Sequence, residues 1–191
     1  MSKLTEIRVA GFGGQGVILS AMVIGKAYSV FEGGFATLTQ SFGPEARGGA
    51  CSAQVITSQE PVLYPYVTHP DILVVMSQEA CTKFVPDLKE DGMLLVEEDL
   101  VEVSNLKPGI RLFSCPAARI AESLGKQMVL NIVMVGFFSA VTGLVKPESL
   151  RRAVAESVPE HFRDVNLSAF DKGFEYGKAK LQAPMAAGAV T

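Results

Sequence analysis

The six residues Gly11-Phe12-Gly13-Gly14-Gln15-Gly16 constrain this chain more than any other stretch. They satisfy the spacing G-x-G-x-x-G and lie between an apolar run at residues 7–10 and a segment, 17–31, of helical periodicity. In that segment Ile18, Met22, Ile24–Gly25, Ala27–Tyr28 and Phe31 recur at helical spacing. Strand, glycine turn and helix in this order open a βαβ unit. Glycines permit the tight turn and let backbone N–H groups approach a phosphate closely. The helix N-terminus adds roughly half a positive charge in the same direction. A phosphate is therefore the expected ligand, with the Gln15 side-chain amide as a further donor. The same loop also suits a turn that only lets helix and strand pack closely, and the sequence leaves both readings open.

The remaining chain repeats the alternation. Strands are expected at 35–40, 50–57, 71–76, 93–96 and 110–113, the 71–76 run being compact and apolar after Asp71, as in buried parallel strands. Helices are expected at 78–88, between Pro116 and Gly125, and at 128–145, 147–157 and 167–181. This pattern predicts an α/β fold, a Rossmann-like doubly wound, mainly parallel sheet with a helical C-terminal third. A chain of 191 residues supports one well-buried core. Residues 1–182 are read as a single domain and 183–191, rich in Ala, Gly and Pro, as a disordered tail.

Composition removes several function classes. A net charge of -3, a pI near 5.5 and the lack of a basic run argue against nucleic acid and against a polybasic membrane surface. The apolar stretch 128–145 has the length of a membrane span. Asn131, Ser139 and Thr142 interrupt it, Gly136 and Gly143 weaken it, and no Lys/Arg cluster flanks it. It is read as a helix buried in the core or at a subunit interface. With a hydrophobic fraction of 48%, it suggests a chain that covers surface with partners and self-associates when expressed alone. The polar N-terminus leads straight into a strand, so no signal peptide and no membrane anchor are expected and the location is read as cytoplasmic.

Cys51, Cys81 and Cys115 are too few and too distant for a four-thiolate iron–sulfur cluster or a zinc ribbon. They read as free thiols of a reducing compartment. His69 and His161 are isolated, so neither a metal site nor a catalytic residue is assigned in this chain.

A nicotinamide dinucleotide would need an acidic residue closing the second strand. That strand ends Leu38-Thr39-Gln40, and Glu32 lies before it. Beyond it runs the segment Ser41-Phe42-Gly43-Pro44-Glu45-Ala46-Arg47-Gly48-Gly49, at the ligand-binding edge of such a sheet. Ser41, Gly43, Gly48 and Gly49 allow close approach of backbone to an anion, and Arg47 is the natural phosphate or carboxylate partner.

These two loops resemble those of the gamma subunit of 2-oxoacid:ferredoxin oxidoreductases. The resemblance continues in Ser77-Gln78-Glu79-Ala80, in 131–145 ending Thr142-Gly143-Leu144, and in Asn166-Leu167, Ala169-Phe170 and Gly173. It extends over residues 6–178. The second loop is most similar to the 2-oxoglutarate form, with pyruvate, branched-chain and indolepyruvate enzymes close by. One departure is Cys51-Ser52-Ala53, where a basic residue is often found. The resemblance implies a complex in which thiamine diphosphate with Mg decarboxylates the 2-oxoacid, iron–sulfur clusters carry electrons to ferredoxin, and coenzyme A accepts the acyl group. It implies thiamine-binding alpha and beta subunits and a ferredoxin-like subunit as partners. It leaves coenzyme A as the cofactor this chain would contact, through Gly11, Gly13, Gly14, Gln15 and Gly16, with the 41–49 loop helping to bind the same cofactor or seating against the thiamine-binding subunit.

Overall fold

A computed structural model describes residues 4–41 and 49–182, so Gly43, Arg47, Gly48 and the segment 183–191 lie outside the described residues. The chain runs β1 (Thr5–Phe12), α1 (Val17–Lys26), β2 (Phe35–Ser41), β3 (Ala50–Ser58), β4 (Ile72–Val75), α2 (Gln78–Phe84), β5 (Met93–Glu97), β6 (Arg111–Cys115), α3 (Ala117–Ser123), α4 (Leu130–Thr142), α5 (Pro147–Ser157) and α6 (Arg163–Gln182). The strands form one sheet in the order β2-β3-β1-β4-β5-β6. β1, β4, β5 and β6 are mutually parallel, and β3 is antiparallel to both β1 and β2. Eight residues separate β2 from β3, too few for the dozen or more of a parallel crossover. The short connection therefore turns β3 back and inserts it between β1 and β2, which would be neighbours in a simple βαβ unit.

Side-chain alternation assigns the two faces. Ile7, Val9, Val74 and Leu95 join the larger core beneath α1 and α3–α6, while Ala10, Val75 and Leu94 face a smaller core under α2. β4 and β5 are buried on both faces, which is why they read as unbroken apolar runs.

Several helix boundaries differ from expectation for local reasons. The 17–31 helix is α-helical only to Lys26 and continues as a π-turn over Ala27–Phe31. There Ser29 Oγ donates to the Gly25 carbonyl at 2.9 Å, where side-chain competition commonly deforms a helix. The 78–88 helix ends at Phe84 and tightens to 3-10 over Val85–Asp87, since Pro86 cannot donate to an α ladder. α6 begins four residues before the expected start at 167.

The apolar 128–145 stretch is spent mainly on the core. Ten of the thirteen α4 residues are buried within the chain, although Met128 ahead of the helix is exposed, so α4 itself offers little surface for self-association. α4 packs against α6 at close range. A Cβ on Gly136 would fall on the carbonyl oxygen of Phe170, and one on Gly173 on that of Val133. Glycine in a helix interior costs about 0.5–1 kcal/mol of intrinsic stability. Here that cost is offset by backbone-to-backbone approach, which brings Phe137 and Tyr176 to 6.1 Å between ring centroids. Among the described residues no helix is long and apolar enough to cross a membrane.

Candidate functional site

The glycine loop connects the C-terminal end of β1 to α1. Gly14 (φ 98°) and Gly16 (φ 72°) occupy the left-handed region, so only glycine sits there without strain. Gly11 is glycine for a different reason. Gln15 folds back over it, and a Cβ would lie 2.6 Å from Gln15 Oε1. That oxygen accepts from the Phe12 N–H at 2.7 Å, and Gln15 Nε2 donates to the Met76 carbonyl at the end of β4 at 3.0 Å. Each end of the amide thus makes one hydrogen bond to main chain, which uses one of the two Nε2 protons. Gln15 shapes the loop and ties it to β4, beside the role of phosphate donor that the sequence suggested. Gly13 stands apart from the other loop glycines. It is exposed, its φ lies outside the left-handed region, and among the described residues nothing lies within 4 Å of an added Cβ.

Sequence reasoning passed over Asn131 as an interruption of an apolar run. It is 3% exposed, its side chain lies against Gly16 where a Cβ would stand, and its Nδ2 donates to the Gly16 carbonyl at 3.3 Å. A polar residue inside an otherwise apolar helix was the available signal. α1 begins with Gly16 as N-cap, with no side-chain cap and no acidic residue in its first turn. Its first N–H groups therefore present positive partial charge beside the exposed Gly13–Gly14 peptide.

The second loop is rooted in the same edge. Phe12 is paired with Ala50 and Ser41 with Ser52, so Ser41 and Gly49 flank the glycine loop on the adjoining strands. Glu79, in the first turn of α2, accepts from the Ala50 N–H at 3.2 Å and holds the start of β3. Ser77 caps α2 by accepting from the Ala80 N–H at 3.3 Å. Glu32, the acidic residue nearest β2, accepts from the Lys146 N–H at 2.6 Å and helps open α5. It caps a helix and closes no ribose site.

A family model described as pyruvate ferredoxin/flavodoxin oxidoreductase matches residues 6–176, nearly all of the chain. The chain belongs to this family. A 2-oxoglutarate synthase subunit KorC of Methanocaldococcus jannaschii is 44% identical over 175 residues, covering 91% of this chain and 94% of the relative. The solved keto/oxoacid ferredoxin oxidoreductase gamma subunit of Geobacter sulfurreducens is 40% identical with a TM-score of 0.80, covering 92% of this chain and 99% of that one. A 2-oxoglutarate:ferredoxin oxidoreductase from Magnetococcus marinus, solved with 2-oxoglutarate, coenzyme A and succinyl-CoA bound, is similar at 25% identity and a TM-score of 0.84. The likeness covers 94% of this chain but 32% of that one, so the whole of this domain is one portion of a longer polypeptide there.

Family members of this kind are subunits of a ferredoxin-dependent oxidoreductase complex. Further along the same edge of the sheet, at the end of β5, Glu97 is fully buried. Its Oε1 accepts from Ala118 N–H (2.9 Å), and its Oε2 from Asp99 N–H (2.9 Å) and Leu100 N–H (2.6 Å). Burial pushes its pKa above the usual carboxylate range, and the N–H donors of Ala118 and Leu100 pull it partly back. Burial likewise pushes up the Cys81 and Cys115 thiols, so both are weakly nucleophilic. Cys51, Cys81 and Cys115 are free, and among the described residues no three His, Cys, Asp or Glu side chains converge as a metal site.

Proposed function

We propose that this chain is the gamma subunit of a thiamine diphosphate-dependent 2-oxoacid:ferredoxin oxidoreductase whose substrate is 2-oxoglutarate. In that complex it holds a phosphate of coenzyme A on the Gly11–Gly16 loop. The carrying observation is Gly13. Neither its own φ nor a neighbouring atom among the described residues requires a glycine there, while the uncapped α1 N-terminus stands beside it. A ligand pressed against that peptide supplies the missing requirement. In this reading Gly43, Arg47 and Gly48, in the segment between Ser41 and Gly49, contribute to the same anion site.

The residues fit a phosphate, and among the described residues no three His, Cys, Asp or Glu side chains converge as a metal site. In this reading thiamine diphosphate with its Mg and the iron–sulfur clusters are held by partner subunits, with ferredoxin as acceptor. Bound coenzyme A supplies the thiol that accepts the acyl group. Gly14 and Gly16 set the loop conformation, Gln15 and Asn131 brace it from β4 and α4, and the α1 N-terminus attracts the phosphate. The pKa of none of these groups enters, because the loop binds through main-chain donors.

Gly13→Ala tests this reading cleanly. With open space around the new methyl, the thermal midpoint of the isolated chain should stay where it is. In the assembled complex, coenzyme A affinity by calorimetry should fall by about tenfold, the value of one charge-assisted hydrogen bond of about 1.5 kcal/mol. The thiamine-dependent decarboxylation half-reaction should persist. Unchanged affinity in an intact complex would leave the loop as a packing turn and the chain as an assembly subunit.

Arg47→Ala should weaken coenzyme A binding by about ten- to a hundredfold, corresponding to roughly 1.5–3 kcal/mol. Arg47→Lys should recover only part, since an ammonium keeps the charge but loses the planar fork. Complexes that dissociate while retaining normal affinity when intact would move Arg47 to a subunit interface.

A further inference from the structure

At the opposite end of the sheet from the glycine loop, the chain leaves β3 at Ser58 and returns to β4 through residues 59–70. Residues 61–68, Pro-Val-Leu-Tyr-Pro-Tyr-Val-Thr, carry no charge. Leu63 is 94% exposed, Tyr64 66% and Tyr66 61%, the most exposed cluster of large apolar side chains among the described residues. The tyrosine rings meet edge to face, with centroids 5.5 Å apart. An uncharged aromatic tongue presented to water is the composition of an interface core and its energetic anchors.

The tongue is held in shape from below. Arg8 on β1 is 5% exposed, and its Nη2 donates to the Val67 carbonyl at 2.9 Å. Its Nη1 pairs with Asp87 at 2.6 Å, and its guanidinium lies 5.0 Å from the Phe84 ring centroid. Val67 N–H donates to Gln54 Oε1 at 3.1 Å, and Glu60 N–H to Ser58 Oγ at 3.1 Å. Burying a cation is unfavourable unless it is paired. This one is committed to fixing the base of an exposed loop, which lowers the ordering cost of docking.

We infer that the 61–66 tongue is the docking surface for one other subunit of the complex, the chain equivalent to the remainder of the longer Magnetococcus polypeptide. In that protein the matching domain is 32% of one chain, so the rest of the polypeptide is joined to it covalently. In the Geobacter gamma subunit the matched domain makes up 99% of the chain, so a neighbour of that kind would there be a separate molecule. The partner presents an uncharged apolar recess for Leu63, with hydrogen-bonding groups at its rim for the hydroxyls of Tyr64 and Tyr66. The inference rests on the chain being a subunit and is independent of which ligand the glycine loop holds.

The test uses the complex assembled by co-expression with its partner subunits, carrying Leu63→Asp or Tyr64→Ala. Both side chains are solvent-exposed in the free chain, so the thermal midpoint of the isolated variants should not move. Each substitution should weaken subunit association by at least about thirty-fold, read as a dissociation constant by sedimentation. Amide exchange at 62–66 should slow on assembly. Coenzyme A affinity, measured where the variant complex is intact, should be unchanged, since the glycine loop lies at the other end of the sheet. Subunit affinity and exchange at 62–66 that do not change would overturn the assignment. So would a Leu63→Asp chain that loses only self-association, for the tongue would then serve a second copy. An inert Gly13→Ala would remove the ligand reading and leave this one standing.

Discussion

Gly136→Ala and Gly173→Ala should each destabilise the chain by about 3 kcal/mol or more, the upper part of the range for overpacking a close-packed interior. Helix propensity alone argues the reverse, since alanine in a helix interior is favoured over glycine by about 1 kcal/mol. The contact decides the sign. Each new methyl would land on a main-chain carbonyl of the opposing helix, Phe170 for Gly136 and Val133 for Gly173, and no rotamer change relieves it. α4 and α6 must then separate, and the neighbouring aromatic packing opens with them. Gly177→Ala should cost less, because its nearest obstacles, Ala140 Cβ at 2.7 Å and Phe137 Cδ2 at 3.2 Å, lie farther away than the carbonyl oxygens that Gly136 and Gly173 face. Urea unfolding of the three variants provides the comparison, and a stabilised Gly136→Ala protein would refute the close crossing. The crossing also reaches the site. α4 carries Asn131 against Gly16, so a displaced α4 loosens the glycine loop from behind.

Glu97→Gln should lower stability by about 2–4 kcal/mol although the side chains are nearly the same size. The carboxylate uses both oxygens as acceptors for three backbone N–H groups, Ala118 on one side and Asp99 with Leu100 on the other. A carboxamide has one oxygen, so its NH2 must face N–H donors on one side. Each buried donor left without a partner costs about 1–3 kcal/mol. The damage should be local as well as global. Hydrogen exchange at Ala118, Asp99 and Leu100 should quicken beyond what the fall in global stability explains, because Glu97 joins the loop after β5 to the start of α3. Equal exchange throughout the chain would show that Glu97 is a space-filling residue and no cap.

Much of the architecture could be read in one dimension. Unbroken apolar runs announced β4 and β5 because strands buried on both faces need no polar alternation. The order strand, glycine turn, helix placed the candidate site at the start of the chain, and the second loop carried the family resemblance later matched over residues 6–176. Local chemistry was enough for these, since periodicity and glycine conformation act over a few residues.

The remainder depended on residues distant in sequence. Nothing near Gln15 reveals that its amide is held by Met76, 61 residues away, or that Asn131, 115 residues from Gly16, braces the loop. The 128–145 stretch had apolar character enough for a core or an interface, and only its fit against the glycines of α6 decided for the core. Likewise, no local pattern around Tyr64 and Tyr66 marks them as exposed; the sheet leaves them outside it, with Arg8 buried beneath. Sequence by itself determined which segments are strands and helices and where the main chain can turn on glycine, because those features arise from local sterics and side-chain periodicity. Tertiary structure alone decided which glycines admit another backbone, which amides are already committed and which apolar side chains remain in water, because each is set by the atom that arrives from elsewhere in the chain.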